Sequence, residues 1–193
     1  MLDFAISHNP ALSIQHAAVW PLPNVNGRAP AIVAVAPART GIDLAYAREH
    51  DLDLLAKFRP GTSNGTATHF MPNAMPTFSV SSGVVAYAGK LPCGYTVLVD
   101  HENGWATYYG NLEHMFVMPT SKRLGRAERV NSGDVLGHVG ASEPDALKCL
   151  RFELWRLGED RHYVQVDPTE HMKNWLVLPW TDDRLTPTAQ RAA

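Results

Sequence analysis

Cysteine is scarce in this 193-residue chain: there are two, Cys93 and Cys149. Two thiols make no disulfide framework, and both are expected to be free, as a reducing compartment allows. An excess of charge of one sign is also missing. The 17 basic and 19 acidic residues leave a formal net charge of -2, which gives no general electrostatic case for nucleic-acid binding or for an anionic membrane surface. The most basic run, Lys122-Arg123-Leu124-Gly125-Arg126 followed by Arg129, reads as a solvated loop. No stretch approaches the roughly 18 consecutive apolar residues of a membrane span. The first residues, Met1-Leu2-Asp3-Phe4-Ala5-Ile6-Ser7-His8, lack the basic start and continuous apolar segment of a secretory leader. The expectation is a protein that stays in the cytoplasm or is exported by a non-classical or particle-associated route, and that is periplasmic if a leader has been trimmed. Internal repeats are absent. Among the nine histidines, His50, His69, His162 and His171 have no partner at a metal-ligand spacing such as His-x-His.

What is present points to one folded unit. A hydrophobic fraction of 45% supplies a sizeable core for a chain of this length. An N-terminal arm, 1–19, precedes Trp20-Pro21-Leu22-Pro23. The run 31–36, apolar and bounded by prolines, reads as a strand, and Gly41-Ile42-Asp43-Leu44-Ala45 as a second. The spacing of Leu52, Leu55 and Phe58 suits a helix over 46–58, stopped by Lys57-Phe58-Arg59-Pro60-Gly61. Residues 61–75, rich in Thr, Asn, Gly and Pro, read as a loop.

From Phe78 the pattern is that of strands and short turns. Phe78-Ser79-Val80, then 83–88, 95–100 and 105–109 follow one another, β-branched and aromatic residues dominating the last two. His101-Glu102-Asn103-Gly104 and Asn131-Ser132-Gly133-Asp134 supply tight turns. Strands at 129–130, 135–140 and 150–156 come next, then a closing turn and short helix at 166–172. The boundaries expected are a domain over 20–175, insertions near 46–75 and 117–128, and a tail over 176–193 that is disordered beyond Trp180. Trp105 and Tyr109 share a strand face, read as packed rather than as a sugar platform.

Five stretches carry a family resemblance: 82–89, 94–104, 107–112, 130–140 and Leu150-Arg151-Phe152-Glu153-Leu154, with Asp167-Pro168 following. In this order they resemble the LytM, or M23, zinc metallopeptidases, which cut peptide cross-links in bacterial cell walls. The resemblance covers about 76–172 and extends less closely back through Gly41-Ile42-Asp43 to Trp20-Pro21. It implies a mostly β fold, a compact antiparallel sheet of the duplicated hybrid (duplicated-hairpin) type with loop insertions. The family holds zinc with a His and an Asp of a His-x-Gly-x-Asp motif and the second His of a His-x-His strand, and two further histidines assist catalysis. Residue by residue, this implies that Arg39 replaces one ligand and Asp43 is kept. Arg151 replaces the third ligand, and Cys149 and Asn111 stand for the catalytic histidines.

Arginine presents donors and no lone pair to a cation. With Arg39 and Arg151 in ligand positions, one carboxylate remains, too little for zinc. The expectation is an Arg39–Asp43–Arg151 cluster in place of the metal, with no cofactor and no catalytic residue. Cys149 reads as a structural thiol, and Asp43, Asn111, Cys149 and Arg151 as candidate groove contacts. His101 reads as structural and His138 as an ordinary strand residue, while His69 is the histidine placed to fold over the groove.

The function expected is that of an inactive domain acting by binding: activating a cell-wall hydrolase such as an amidase, assembling a bacterial, phage or secretion machine, or holding a peptidoglycan peptide. The alternative is an active peptidoglycan endopeptidase with a rearranged zinc site, built from Asp43 and a histidine of 46–75.

Overall fold

The structure is a computed structural model that describes residues 18–35, 41–47, 69–118, 128–141 and 147–181. The elements are, in order, β1 (Asn24–Val25), β2 (Ala31–Val35), β3 (Ile42–Ala47), β4 (His69–Phe70), β5 (Pro76–Phe78), β6 (Gly83–Leu91) and β7 (Gly94–Asp100). They continue with β8 (Trp105–Met115), β9 (Arg129–Val130), β10 (Val135–Val139), β11 (Leu150–Leu157), β12 (Tyr163–Val166), the single-turn helix α1 (Thr169–Met172) and β13 (Pro179–Trp180). The chain is predominantly β, as the sequence pattern leads one to expect.

The main sheet runs β2-β3-β11-β8-β7-β6-β9, and every pairing in it is antiparallel. Alternation along the strands explains its two faces. Ile42, Leu44 and Tyr46 of β3, Val97 and Val99 of β7, and Leu150, Phe152 and Leu154 of β11 are all fully buried and form one core. Tyr109 of β8 joins them edge-on to Phe152, whose other side meets Trp175. Trp105 packs on this core as well, so the shared Trp105/Tyr109 face is a packed one.

The turns hold as their residues suggest. Between β7 and β8, Glu102 and Gly104 take positive φ of 57° and 83°. Asp100 Oδ1 accepts from Glu102 N at 2.8 Å, and Asn103 Oδ1 from Trp105 N at 3.1 Å. Before β10, Gly133 takes φ 85°, and Asp134 Oδ2 accepts from Asn131 N at 2.7 Å.

Four expectations need correction. Tyr46 and Ala47, assigned to a helix over 46–58, belong to strand β3. Tyr46 continues the buried alternation of Ile42 and Leu44, and its hydroxyl donates to Pro23 O at 2.8 Å; residues 48–58 lie outside the described ones. Inside the expected loop 61–75, His69 and Phe70 form β4 against the end of β3. Strand pairing is at Pro76–Phe78 rather than at 78–80, because Ser79 and Val80 turn away to meet Asp134 and Val19 by backbone bonds. Residues 176–180, read as the start of a tail, return to the N-terminal segment. Leu176 O accepts from Trp20 N, Leu178 O from Asn24 N, and β13 pairs in parallel with β1.

Candidate functional site

Strand β11 sets the site. With Leu150, Phe152 and Leu154 in the core, alternation places Arg151, Glu153 and Trp155 on the opposite face. Arg151 is in register with Asp43 on β3 and with Gly110 on β8. Asp43 reaches the same face because its neighbours Ile42 and Leu44 both point inward.

The side chains there bond to one another. Arg151 Nη1 donates to Asp43 Oδ1 at 3.3 Å, and Arg151 Nε donates to Glu153 Oε1 at 3.3 Å. Trp155 Nε1 donates to the other Glu153 oxygen at 3.2 Å. The Arg151 side chain is only 11% exposed, against 26% for Asp43 and 17% for Glu153. Arg151 Nη2 is buried and has no hydrogen-bond partner among the described residues. It lies where a side chain at residue 41 would begin: a Cβ on Gly41 would come within 2.6 Å of Nη2 and 2.7 Å of Glu153 Cγ. On the other flank, the Tyr108 ring lies over Gly110, where a Cβ would be 2.7 Å from the ring edge. The Tyr108 hydroxyl is 3.4 Å from Thr96 Oγ1 and 3.8 Å from Cys93 Sγ, and burial pushes the phenol up to about 12.

Asn111 and Cys149 meet beside this row, with Asn111 Nδ2 donating to Cys149 Sγ at 3.6 Å. Both are buried. Burial, then the nearby Asp43 carboxylate, push the Cys149 thiol up to about 11. It stays protonated at neutral pH and is a poor nucleophile, and Asn111 offers it no base. Asn111 has a second job that motif reading did not show. Val97 pairs with Tyr109 but Tyr95 with Leu112, so β8 carries an extra residue here. Asn111 absorbs that bulge at φ 61°, and its carbonyl accepts from Gly140 N at 2.6 Å. We expect Asn111→Gly to retain stability to within about 0.5 kcal/mol, while Asn111→Val costs about 2 kcal/mol, since β-branched residues resist the left-handed region. Urea unfolding of the pair checks this, and equal losses would show that the amide rather than the backbone is what matters.

Asp43 and Arg151, which the resemblance sets at zinc-ligand positions, do not fit a zinc ion as they stand. A guanidinium offers donors only, and here it lies against the carboxylate that was to be a ligand. Among the described residues, no group of three or more His, Cys, Asp or Glu stands where it could hold a metal. Arg39 lies outside the described residues, as does His50. His69, on β4, pairs with Ala47, four residues along β3 from Asp43, or about 13 Å at the rise of a strand. Among the other described histidines, His114 and His138 face each other across β8 and β10 with ring centroids 6.3 Å apart, and the rest are separate. His101 is buried between Ser82 and Thr107, His171 packs on Trp105, and His162 sits by Asp160. His138 is stacked edge-on with Phe116.

Glu153 and Trp155 were missed as site residues by sequence reasoning. The signal that finds them is positional: residues 151, 153 and 155 of one strand must share a face.

Comparison with known proteins agrees with this architecture. The model of Peptidase family M23 matches residues 62–168, more than half of the chain; Asp43 lies before that match and is tied to it by the β3–β11 pairing. The cell division protein DipM of Caulobacter vibrioides is 35% identical over 85 residues, 43% of this chain and 13% of that protein. A candidate peptidase M23 from Pseudomonas aeruginosa superposes with a TM-score of 0.55 at 18% identity, over 89% of this chain and 56% of that one. A chain of the SpoIIQ–SpoIIIAH pore-forming complex does so with a TM-score of 0.51 at 20% identity, over 83% of this chain and 93% of that one. At these identities the likeness to the solved structures is one of fold. The chain therefore belongs to peptidase family M23, with an arginine–carboxylate pair where the family resemblance places zinc ligands.

Proposed function

We propose that this is a non-catalytic M23 domain that works by binding, with a protein of the cell-wall machinery as its partner. The observation that carries the reading is the Arg151 guanidinium, bonded to both Asp43 and Glu153 on the sheet face. A cation fixed to the chain repels Zn²⁺ and holds the one carboxylate that a metal would need. The remaining substituted positions supply no base and no ready nucleophile, since the Cys149 thiol keeps its proton.

The partner reading draws support from two relatives. One is named as a cell division protein, and the other was solved in a complex of two proteins. An amidase or a component of a larger machine is the class of partner proposed, and the sheet face around Asp43 and Arg151 offers a second role in holding a peptidoglycan peptide uncut. The test is metal analysis of the purified protein together with hydrolysis of cross-linked peptidoglycan. The expected result is sub-stoichiometric zinc and no turnover, with or without added Zn²⁺. Stoichiometric zinc with turnover would reinstate the rearranged-site enzyme.

A further inference from the structure

The row Asp43–Arg151–Glu153 has a feature that loss of a metal site alone does not require. Both carboxylates are oriented on one guanidinium, which enters from the chain itself. Glu153 is held on its second oxygen by Trp155 Nε1, so its first oxygen stays aimed at Arg151 Nε. Gly41 has no side chain, and any Cβ there would fall within 3 Å of both Nη2 and Cζ of Arg151. Two convergent acceptors, a bare backbone beneath them and low exposure together make a receptor with the shape and charge of a planar cation.

We propose that Asp43, Glu153 and the bare backbone at Gly41 form a guanidinium-binding site, which Arg151 fills from within as a tethered ligand. The inference rests on the metal-free reading above and adds to it. The positive charge that knits β3 to β11 is supplied covalently, so the face keeps its geometry whatever the metal supply. Arg151 is then a positioning residue, and once its side chain is removed the site accepts the same cation from solution.

The variant Arg151→Ala removes the Cγ and Cδ methylenes and the guanidinium, the atoms that ethylguanidinium replaces. We expect Arg151→Ala to lower Tm by roughly 10 °C and millimolar ethylguanidinium to restore at least half of that loss through preferential binding to the folded state. Ethylammonium or sodium chloride at the same concentration restores little, because neither presents two donors in one plane. Arg151→Met fills the space with an apolar stem and should show no rescue, and Glu153→Gln placed on Arg151→Ala should abolish it. If Arg151→Ala does not fold alone, its refolding yield with each cation gives the same comparison. Equal effects from ethylguanidinium and ethylammonium, or equal rescue of Arg151→Met, would overturn the proposal. Chelator treatment of the unaltered protein tests the reading beneath it: Tm is expected to stay unchanged, and a fall would sink the metal-free reading whatever the rescue shows.

Discussion

Acidification from neutral pH will remove about 3 kcal/mol of stability through one buried histidine, His101. Its Nδ1 faces the Ser82 carbonyl at 3.0 Å, and its Nε2 faces Thr107 Oγ1 at 2.9 Å. A carbonyl only accepts, so Nδ1 carries the proton and Nε2 accepts from the threonine. Thr107 Oγ1 is in turn 2.9 Å from the Tyr109 hydroxyl, which accepts from Val80 N at 2.9 Å. Protonating Nε2 would place a charge in a chain of buried neutral groups, and burial accordingly pushes the imidazole down to about 4. The unfolded chain binds that proton near 6.5. Stability is therefore full above about 6.5, declines as pH falls from there to about 4, and is flat below. His101→Gln, which keeps one donor and one acceptor, should be less stable at neutral pH but lack this slope. Subtracting its urea-unfolding curve from that of the unaltered protein isolates the histidine from neighbouring carboxyls. A slope that survives His101→Gln would show that the relay does not carry the effect.

The same segment shows what was legible beforehand. Alternating Val97 and Val99, with Asp100 and Asn103 ready to bond the turn backbone, encode a hairpin locally, and so the sequence pattern locates it. The Asn131–Asp134 turn is legible for the same reason. The pairing of 179–180 with 24–25 has no such local code. Two-residue strands carry no periodicity, and only backbone hydrogen bonds across the whole chain define them. Tyr46 shows a different failure: helical spacing of later residues outweighed an alternation with only three members, Ile42, Leu44 and Tyr46. At the site, the resemblance singled out Asp43, Asn111, Cys149 and Arg151, and the structure brings these together in two contacting pairs. It could not reveal Glu153 as the second carboxylate on Arg151, because that contact follows from strand alternation and side-chain geometry rather than from the substituted positions. The bulge at Asn111 was hidden too, since register is a property of two strands rather than one.

Glu153, and not Asp43, is the residue whose loss will damage this face most. Removing Asp43 leaves Arg151 with one carboxylate still bonded to Nε, and at 26% exposure the vacated space is within reach of water. The penalty for stranding a buried charge, about 3–5 kcal/mol when burial is complete, therefore shrinks to about 1 kcal/mol for Asp43→Ala. Glu153→Ala is different. It strips Nε of its acceptor while Nη2 already has none, and it leaves Trp155 Nε1 unpaired on the same face. Two newly unpaired donors, one of them on a buried guanidinium, should cost about 3 kcal/mol. Glu153→Gln should fall between the two, near 2 kcal/mol, since one of the two acceptor oxygens becomes an NH2 that can only donate and then faces a donor, Arg151 Nε or Trp155 Nε1. The paired replacement of Arg151 and Glu153 by Met leaves no buried guanidinium and only the Asp43 carboxylate unpaired, at 26% exposure within reach of water, so it is expected to be more stable than Glu153→Ala alone. Urea midpoints for the four variants decide the matter. If Asp43→Ala costs as much as Glu153→Ala, the guanidinium is held chiefly by the old ligand position, and the ladder along β11 is incidental.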